Sequence, residues 1–491
     1  MTKNNQSFQT KKKTYFYLVT FLISIFIIFL SWVIPNAKII GIADILPLFR
    51  ETAGTRLIGQ GLSIFAFAFF LHSFLQSQAF QALFASQRQW LTKRKYFTIT
   101  LITVAAAILS SNLSWFDEFI HFYPLVVPVL LSVGFDVFSA LLCLYGGSVA
   151  GLIGLVSSER MSSYFKECFS SVGGVDYERG LAGLGFRLVA LLLFTGLVVC
   201  FNIWYCSRNK NNSLTEEDNT IEAPTAPPLF TRKRKIVLVI VGFFFGLTIL
   251  AQLIPVKYTE KISQQVPERI VGNYQVKEYE EQGEIGGKFP IAKVKTYNKS
   301  LWEKFGEWGE TSIDCWLILG GIIICWLTKQ SIIENLTTAA QNSLPLLLIY
   351  IFSAVPGTIL EKSGLGKLLA GNILSKQPVT GAKYWALIPV FFSAILAGFL
   401  VCSSSIAIIL VSTLAPILKA LSPTILIYAA IFAWMGVMIG MAFSSNQGIL
   451  QASLEKNQLS YPQFIEKVWP LWLILFIATS GLVVGWTIFF I

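Results

Sequence analysis

The chain has 491 residues, 54% of them hydrophobic and only 13% charged, with a mean hydropathy of +0.63. That balance excludes an ordinary soluble domain, whose surface needs far more charge, and the continuous apolar runs exclude a transmembrane β-barrel, whose strands alternate. The 38 Lys and Arg against 27 Asp and Glu cluster beside the ends of apolar runs, as the positive-inside rule requires, so the charge reports topology and no nucleic-acid partner is expected.

Taken in order, Met1 to Lys13 is polar and basic and stays cytoplasmic, and Tyr15 to Ile34 crosses outward without a small-residue cleavage pattern. Asn36 to Arg56 reads as an outer loop. Leu57 to about Phe80 crosses back, and Ala82 to Lys95 suits a basic amphipathic helix on the inner surface. Residues 96–133 then read as a re-entrant hairpin that turns through Ser110 to Glu118. Two full crossings are the alternative. Residues 136–158 form a Gly-rich broken helix, with Gly146, Gly147, Gly151 and Gly154 allowing close helix approach. Leu184 to Tyr205 crosses in, which closes an N-terminal half at 1–206. Residues 207–235 are a polar, Pro-containing cytoplasmic linker.

The C-terminal half, 236–491, opens with a span from Ile236 to Ile254. Residues 256–311 form an outer loop, with alternation around Val271 to Tyr279 that suggests short strands. Spans follow over Ile313 to Leu327 and Leu344 to Leu360. A second hairpin covers 384–421, a broken helix 424–446, and a last span Trp469 to Ile491. The expected fold is an all-α polytopic membrane protein of about nine crossings plus two hairpins, arranged as two inverted repeats.

The repeat rests on laying Pro128 over Pro416, a shift of 288 residues. Val127 to Ser158 then lies on Ala415 to Asn446. Chance similarity of two apolar stretches is the alternative. Discontinuous helices at matching positions of two halves point to the binding site of a secondary transporter. The candidate substrate-binding residues are therefore Ser403, Ser404 and Ser405 at the second hairpin tip and Ser444, Ser445 and Asn446 at the second break. Asn112 at the first turn and Ser157 and Ser158 at the first break join them.

A half-helix starting at Ser405 would aim N–H groups and its positive dipole end at a carboxylate, although the same serines could simply cap helices. Asp117 and Glu118 are acids beside a membrane-embedded turn, candidates for proton coupling or for holding a substrate ammonium. If the turn reaches water they are merely solvated. Carbonyls freed at the two breaks suit Na⁺ or H⁺ as coupling ion. Arg187, just inside an apolar run, is expected to snorkel to the outer headgroups. No cofactor is implied. Seven cysteines without close ligand spacing and two histidines, His72 and His121, leave no basis for a His-based metal site or a catalytic triad, so no enzyme is expected.

The run FYPLVVPVLLSVGFD after Glu118, GLGFRL at Gly183 to Leu188, the Ser triplet with LAPI downstream, VWPLW near the end and WVIP closing the first span resemble the YfcC-type carriers. These belong to an ion-transporter superfamily with the AbgT and four-carbon dicarboxylate carriers. The resemblance implies a secondary carrier with two hairpins and two broken helices, labelled for dicarboxylates or basic amino acids. This sequence departs from the family pattern at three places. Cys402 and Ile406 stand where the second hairpin usually has Pro and Gly, Ser157-Ser158 leads into Glu159-Arg160 rather than Asn-Pro-Phe, and Ser444 to Asn446 replaces Thr-Pro-Thr.

The expectation is thus a multi-pass plasma-membrane carrier for an amino acid or carboxylate, working by ion-coupled alternating access. Its partners are a small-molecule substrate and the lipid bilayer, with a homodimer left open. An uncoupled exchanger or facilitator, or a degenerate non-transporting paralogue, are the alternatives.

Overall fold

The computed structural model describes residues 3–56, 61–113, 118–156, 158–170, 180–208, 230–253, 310–365, 387–445 and 447–490, besides Trp115, Phe116, Val172, Val175, Leu368 and four short strands. The N-terminal part runs α1 (Lys3–Val33), α2 (Ile45–Arg56), α3 (Leu62–Gln76), α4 (Ala79–Lys93) and α5 (Lys95–Leu113), then a 3₁₀ turn (Glu118–Phe122) and α6 (Tyr123–Ser132). It continues with α7 (Val137–Leu141), a π-turn (Leu142–Gly146), α8 (Gly147–Ile153), α9 (Ser158–Cys168) and α10 (Leu184–Arg208).

The C-terminal part has α11 (Arg232–Leu253), α12 (Glu310–Thr328), α13 (Ile332–Lys362), α14 (Leu387–Val401), α15 (Ser405–Leu421), α16 (Pro423–Ala442), α17 (Gly448–Lys456) and α18 (Tyr461–Phe490). Between α11 and α12, β1 (Arg269–Val271) pairs antiparallel with β2 (Tyr274–Val276), and β3 (Glu284–Ile285) with β4 (Phe289–Pro290). Most of the expected linker and outer loop lies outside the described residues.

Five of the described helices are long and apolar enough to cross a membrane: α5, α10, α13, α16 and α18. Helices α3 and α4, bent by 64°, add a sixth if they form one span, and shorter apolar helices fill the gaps. The protein is a multi-pass helical membrane protein. The α3–α4 bend falls where a Phe-rich run gives way to basic residues, and Gln78 takes it up with a left-handed φ of 55°.

Three expectations change. The outer loop after α1 contains a helix, α2. The polar turn after Leu109 starts later, because Ser110, Ser111 and Asn112 continue α5 to Leu113. Helix α13 begins at Ile332 rather than Leu344, started by Ser331, whose hydroxyl accepts the Glu334 N–H at 3.3 Å. Ser-x-x-Glu is a helix-start signature that outweighs the polarity of the first turns.

The core is built around two helix pairs of the same design. In one, α8 presses on α5, and a Cβ at Gly147 would stand 2.6 Å from Thr103 O and one at Gly151 2.3 Å from Ala107 O. In the other, α16 presses on α14, and a Cβ at Gly436 would stand 2.6 Å from Phe391 O and one at Gly440 2.2 Å from Ile395 O. Each pair is a Gly-x-x-x-Gly stripe against backbone, the arrangement that lets membrane helices approach closely when burial from water supplies no driving force. Thr103 and Phe391 are 288 residues apart and Gly147 and Gly436 are 289 apart, within one residue of the spacing between Pro128 and Pro416. Helices α8 and α16 also touch each other at the centre.

Candidate functional site

The second hairpin tip and the second helix break meet at one carbonyl. Helix α14 ends at Val401, Cys402 turns the chain with a left-handed φ of 54°, and α15 starts at Ser405. The Cys402 thiol and the Ser444 hydroxyl both donate to Phe399 O, at 3.8 and 2.7 Å. Ser444 opens the break between α16 and α17, so the tip and the break are tied together. Ser404 occupies the N-cap of α15 without a side-chain cap bond. Among the described residues, the hydroxyls of Ser403, Ser404 and Ser405 make no hydrogen bond. Ser403 is buried and Ser404 and Ser405 are half-buried. None of the three hydroxyl oxygens is among the fully buried polar atoms that lack a partner, so each keeps some accessible surface.

Helix α13 backs this site, which the sequence reading did not anticipate. A Cβ on Gly357 would lie 2.9 Å from the Ser403 hydroxyl oxygen, and one on Gly448 would lie 2.9 Å from that of Ser353. Glycine at both places lets α13 and α17 close on the tip. The available signal was Pro356-Gly357 inside an apolar run, a pair that marks a bend in a membrane helix.

At the first break the freed groups are used internally. Ser110 Oγ donates to Ser148 O at 2.8 Å and Ser111 Oγ to Gly154 O at 2.7 Å, while Ser111 also receives the Val156 N–H. Arg187 is 2% exposed, so it does not snorkel. Its guanidinium donates to Leu155 O at 2.9 Å, to Gly180 O, and to Ala182 O at 3.3 Å. Snorkelling lost because the loop before α10 folds back over the break, with Gly180 and Gly183 at φ of 85° and 66°.

The two breaks also reach across to each other. Tyr145, on the π-turn, donates its hydroxyl to Ala442 O at the end of α16 at 2.6 Å, and Trp434, on α16, donates Nε1 to Leu152 O at the end of α8 at 2.9 Å. Tyr145 and Trp434 are 289 residues apart, the same separation as Gly147 and Gly436. Each aromatic caps the partner's helix end. Tyr461 adds a bond to Phe443 O at 2.8 Å. The recess beside Tyr145 and Phe443, about 10 Å³, is lined by mostly apolar side chains and is too small for a carboxylate substrate. Tyr145→Phe and Trp434→Phe are each expected to cost about 1–2 kcal/mol, because each leaves a buried helix-terminal carbonyl without its donor. Unfolding of the purified single variants and of the double variant measures this, with near-additive losses expected because different helix ends are uncapped.

Of the remaining candidates, Asn112 bonds its own helix at Ile108 O, 2.9 Å away, and Glu118 accepts the Phe116 N–H at 3.1 Å. Ser445 offers its carbonyl to Gln451 Nε2 at 2.8 Å, and Ser158 opens α9. Asp117, Ser157 and Asn446 lie outside the described residues. One acid escaped the sequence reading: Asp314, buried near the start of α12, accepts the Ser63 hydroxyl at 2.8 Å. An acid inside an apolar run was the signal for it.

Residues 55–259 match the model of a family described as the C4-dicarboxylate anaerobic carrier, DcuC. That match takes in less than half of the chain and likens this part of it to a carrier family rather than to an enzyme. An uncharacterized protein of Haemophilus influenzae is 25% identical over 167 residues, which cover 32% of this chain and 31% of that protein. The chain thus spans about a third of the length of that curated relative. Among solved structures, the YdaH transporter of Alcanivorax borkumensis aligns with a TM-score of 0.47 and 16% identity over 96% of this chain and 98% of that one. MtrF of Neisseria gonorrhoeae, described in connection with a class of antimetabolite efflux pumps, aligns with a TM-score of 0.46 and 13% identity over 96% and 94%.

Proposed function

We propose that the chain is a secondary active carrier for a small carboxylate, with four-carbon dicarboxylates as the first candidates and amino acids as the second. The substrate carboxylate binds at the second hairpin tip, held by Ser404 and Ser405 and by groups of the break from Ser444 to Asn446. The observation that carries this is the three serine hydroxyls left without partners where tip and break converge on Phe399 O. The similarity of residues 55–259 to dicarboxylate carriers supports the substrate class.

Two halves, 1–206 and 236–491, act as inverted repeats with hairpins at 96–133 and 384–421, and move against each other for alternating access. The reciprocal Tyr145 and Trp434 caps and the matched glycine stripes support this reading. The basic first segment keeps the N-terminus cytoplasmic. Asp117 and Glu118 remain the candidates for coupling, with Na⁺ or H⁺ as the ion. Uncoupled exchange is the second reading, favoured by the protein donors that occupy carbonyls at both breaks.

The test is uptake of labelled succinate by proteoliposomes carrying the wild type, Ser404→Ala or Ser405→Ala. Each variant is expected to raise KM by roughly tenfold, the loss of one hydrogen bond to a charged group. Unchanged KM in both variants would remove the tip from the binding site. Counterflow with no ion gradient would favour the exchanger.

A further inference from the structure

In a broken-helix carrier, unwound carbonyls and half-helix C-terminal ends are the groups that coordinate a cation. The first break of this chain has those carbonyls, and a side chain already stands among them. The Arg187 guanidinium takes hydrogen bonds to Leu155 O, two residues past the end of α8, and to Gly180 O and Ala182 O of the folded-back loop. No carboxylate forms an ion pair with Arg187 among the described residues, and its Nε has no hydrogen-bond partner there. Among the described residues its compensation comes from carbonyl oxygens and from the negative end of the α8 dipole. The second break is served differently, by the neutral hydroxyls of Tyr145 and Tyr461.

We infer that Arg187 is a tethered cation occupying the position an inorganic cation would take at the first helix break, so that no exchangeable cation is needed at those carbonyls for coupling. The positive charge is fixed at 2% exposure and cannot leave with each transport cycle. Its site is specific in geometry as well as charge, because a planar fork with several donors meets three carbonyls from two segments. Two turns with left-handed glycines, Gly180 and Gly183, aim that loop inward. Gly154 closes the other side, since a Cβ there would stand 2.5 Å from the backbone of Leu191, one turn beyond Arg187 on α10. The inference rests on the carrier reading only for its consequence for coupling. The occupancy itself is a matter of stability.

The experiment measures the thermal midpoint of the purified full chain for wild type, Arg187→Ala, Arg187→Lys and Arg187→Gln. Arg187→Ala is expected to fall by roughly 5 °C or more, and to recover part of that loss with millimolar methylguanidinium chloride but not with choline chloride at the same concentration. Wild type is expected to respond equally to both salts. An Arg187→Ala variant that methylguanidinium leaves unchanged overturns the inference.

Should Arg187→Ala yield no folded protein, Arg187→Lys against Arg187→Gln decides the matter, read as folded protein retained in membranes where purification fails. Both side chains donate hydrogen bonds and only lysine is charged, so lysine is expected to be retained better. Equal or better retention of glutamine overturns the inference. Because none of these readouts involves uptake, a failed transport assay leaves them interpretable.

Discussion

Valine at Gly440 is expected to abolish folded protein, and alanine there to cost about 3 kcal/mol or more, at the upper end of what overpacking a membrane or soluble core inflicts. The reason is geometric. A Cβ at Gly440 would lie 2.2 Å from Ile395 O and 2.7 Å from the Phe399 backbone nitrogen, both fixed backbone atoms that no rotamer change can move. Helix α16 would have to back away from α14 along its length. That separation would also pull Ser444 from Phe399 O and open the site. Gly151→Ala is expected to behave alike, since its Cβ would meet Ala107 O at 2.3 Å. Gly196, with nothing within 4 Å of its Cβ position, is the control expected to accept alanine. Thermal unfolding in detergent and the amount of protein in membranes check all three.

The second large effect concerns Cys402. Proline at this point of the chain could not take the left-handed φ of 54° found here. It would also lose the Cys402 N–H bond to Gly398 O, 3.0 Å long. Cys402→Pro is therefore expected to cost about 3 kcal/mol or more, with the Ser403 to Ser405 tip displaced and transport lost. Cys402→Gly is expected to be neutral or to gain up to about 1 kcal/mol, because glycine carries no Cβ penalty in that region. A proline variant as stable and active as the wild type would mean that the tip has a different backbone from the one described.

These two cases also mark what the sequence made legible. Polar residues at the ends of apolar runs stand out because lipid tolerates them only for a reason, so Ser403 to Ser405 and Ser444 are candidates by type and place alone. The spacing between Pro128 and Pro416 anticipated the matched helix pairs to within one residue, since both carry small residues at helical spacing. The Gly436 and Gly440 stripe of the second pair was missed, hidden among Trp, Met and Ile.

Long-range partners were not legible. Tyr145 and Trp434 look like ordinary core aromatics until the opposite helix end is seen. Arg187 looked like a headgroup anchor because its position near the start of an apolar run fits snorkelling, and only the folded loop from Gly180 to Gly183 reverses that reading. Helix α13 packs on the tip through Gly357 and Ser353, and the local Pro356-Gly357 pair marks an irregular point in that helix without naming its long-range partner.

Solute counterflow in proteoliposomes tests the central claim most directly: a labelled four-carbon dicarboxylate outside, the same compound unlabelled inside, and the purified chain as the only protein. The account predicts transient accumulation of label, lost in a Ser404→Ala, Ser405→Ala double variant that folds as well as the wild type. No accumulation for succinate, for other small carboxylates or for amino acids, with no thermal stabilisation by any of them, would contradict it.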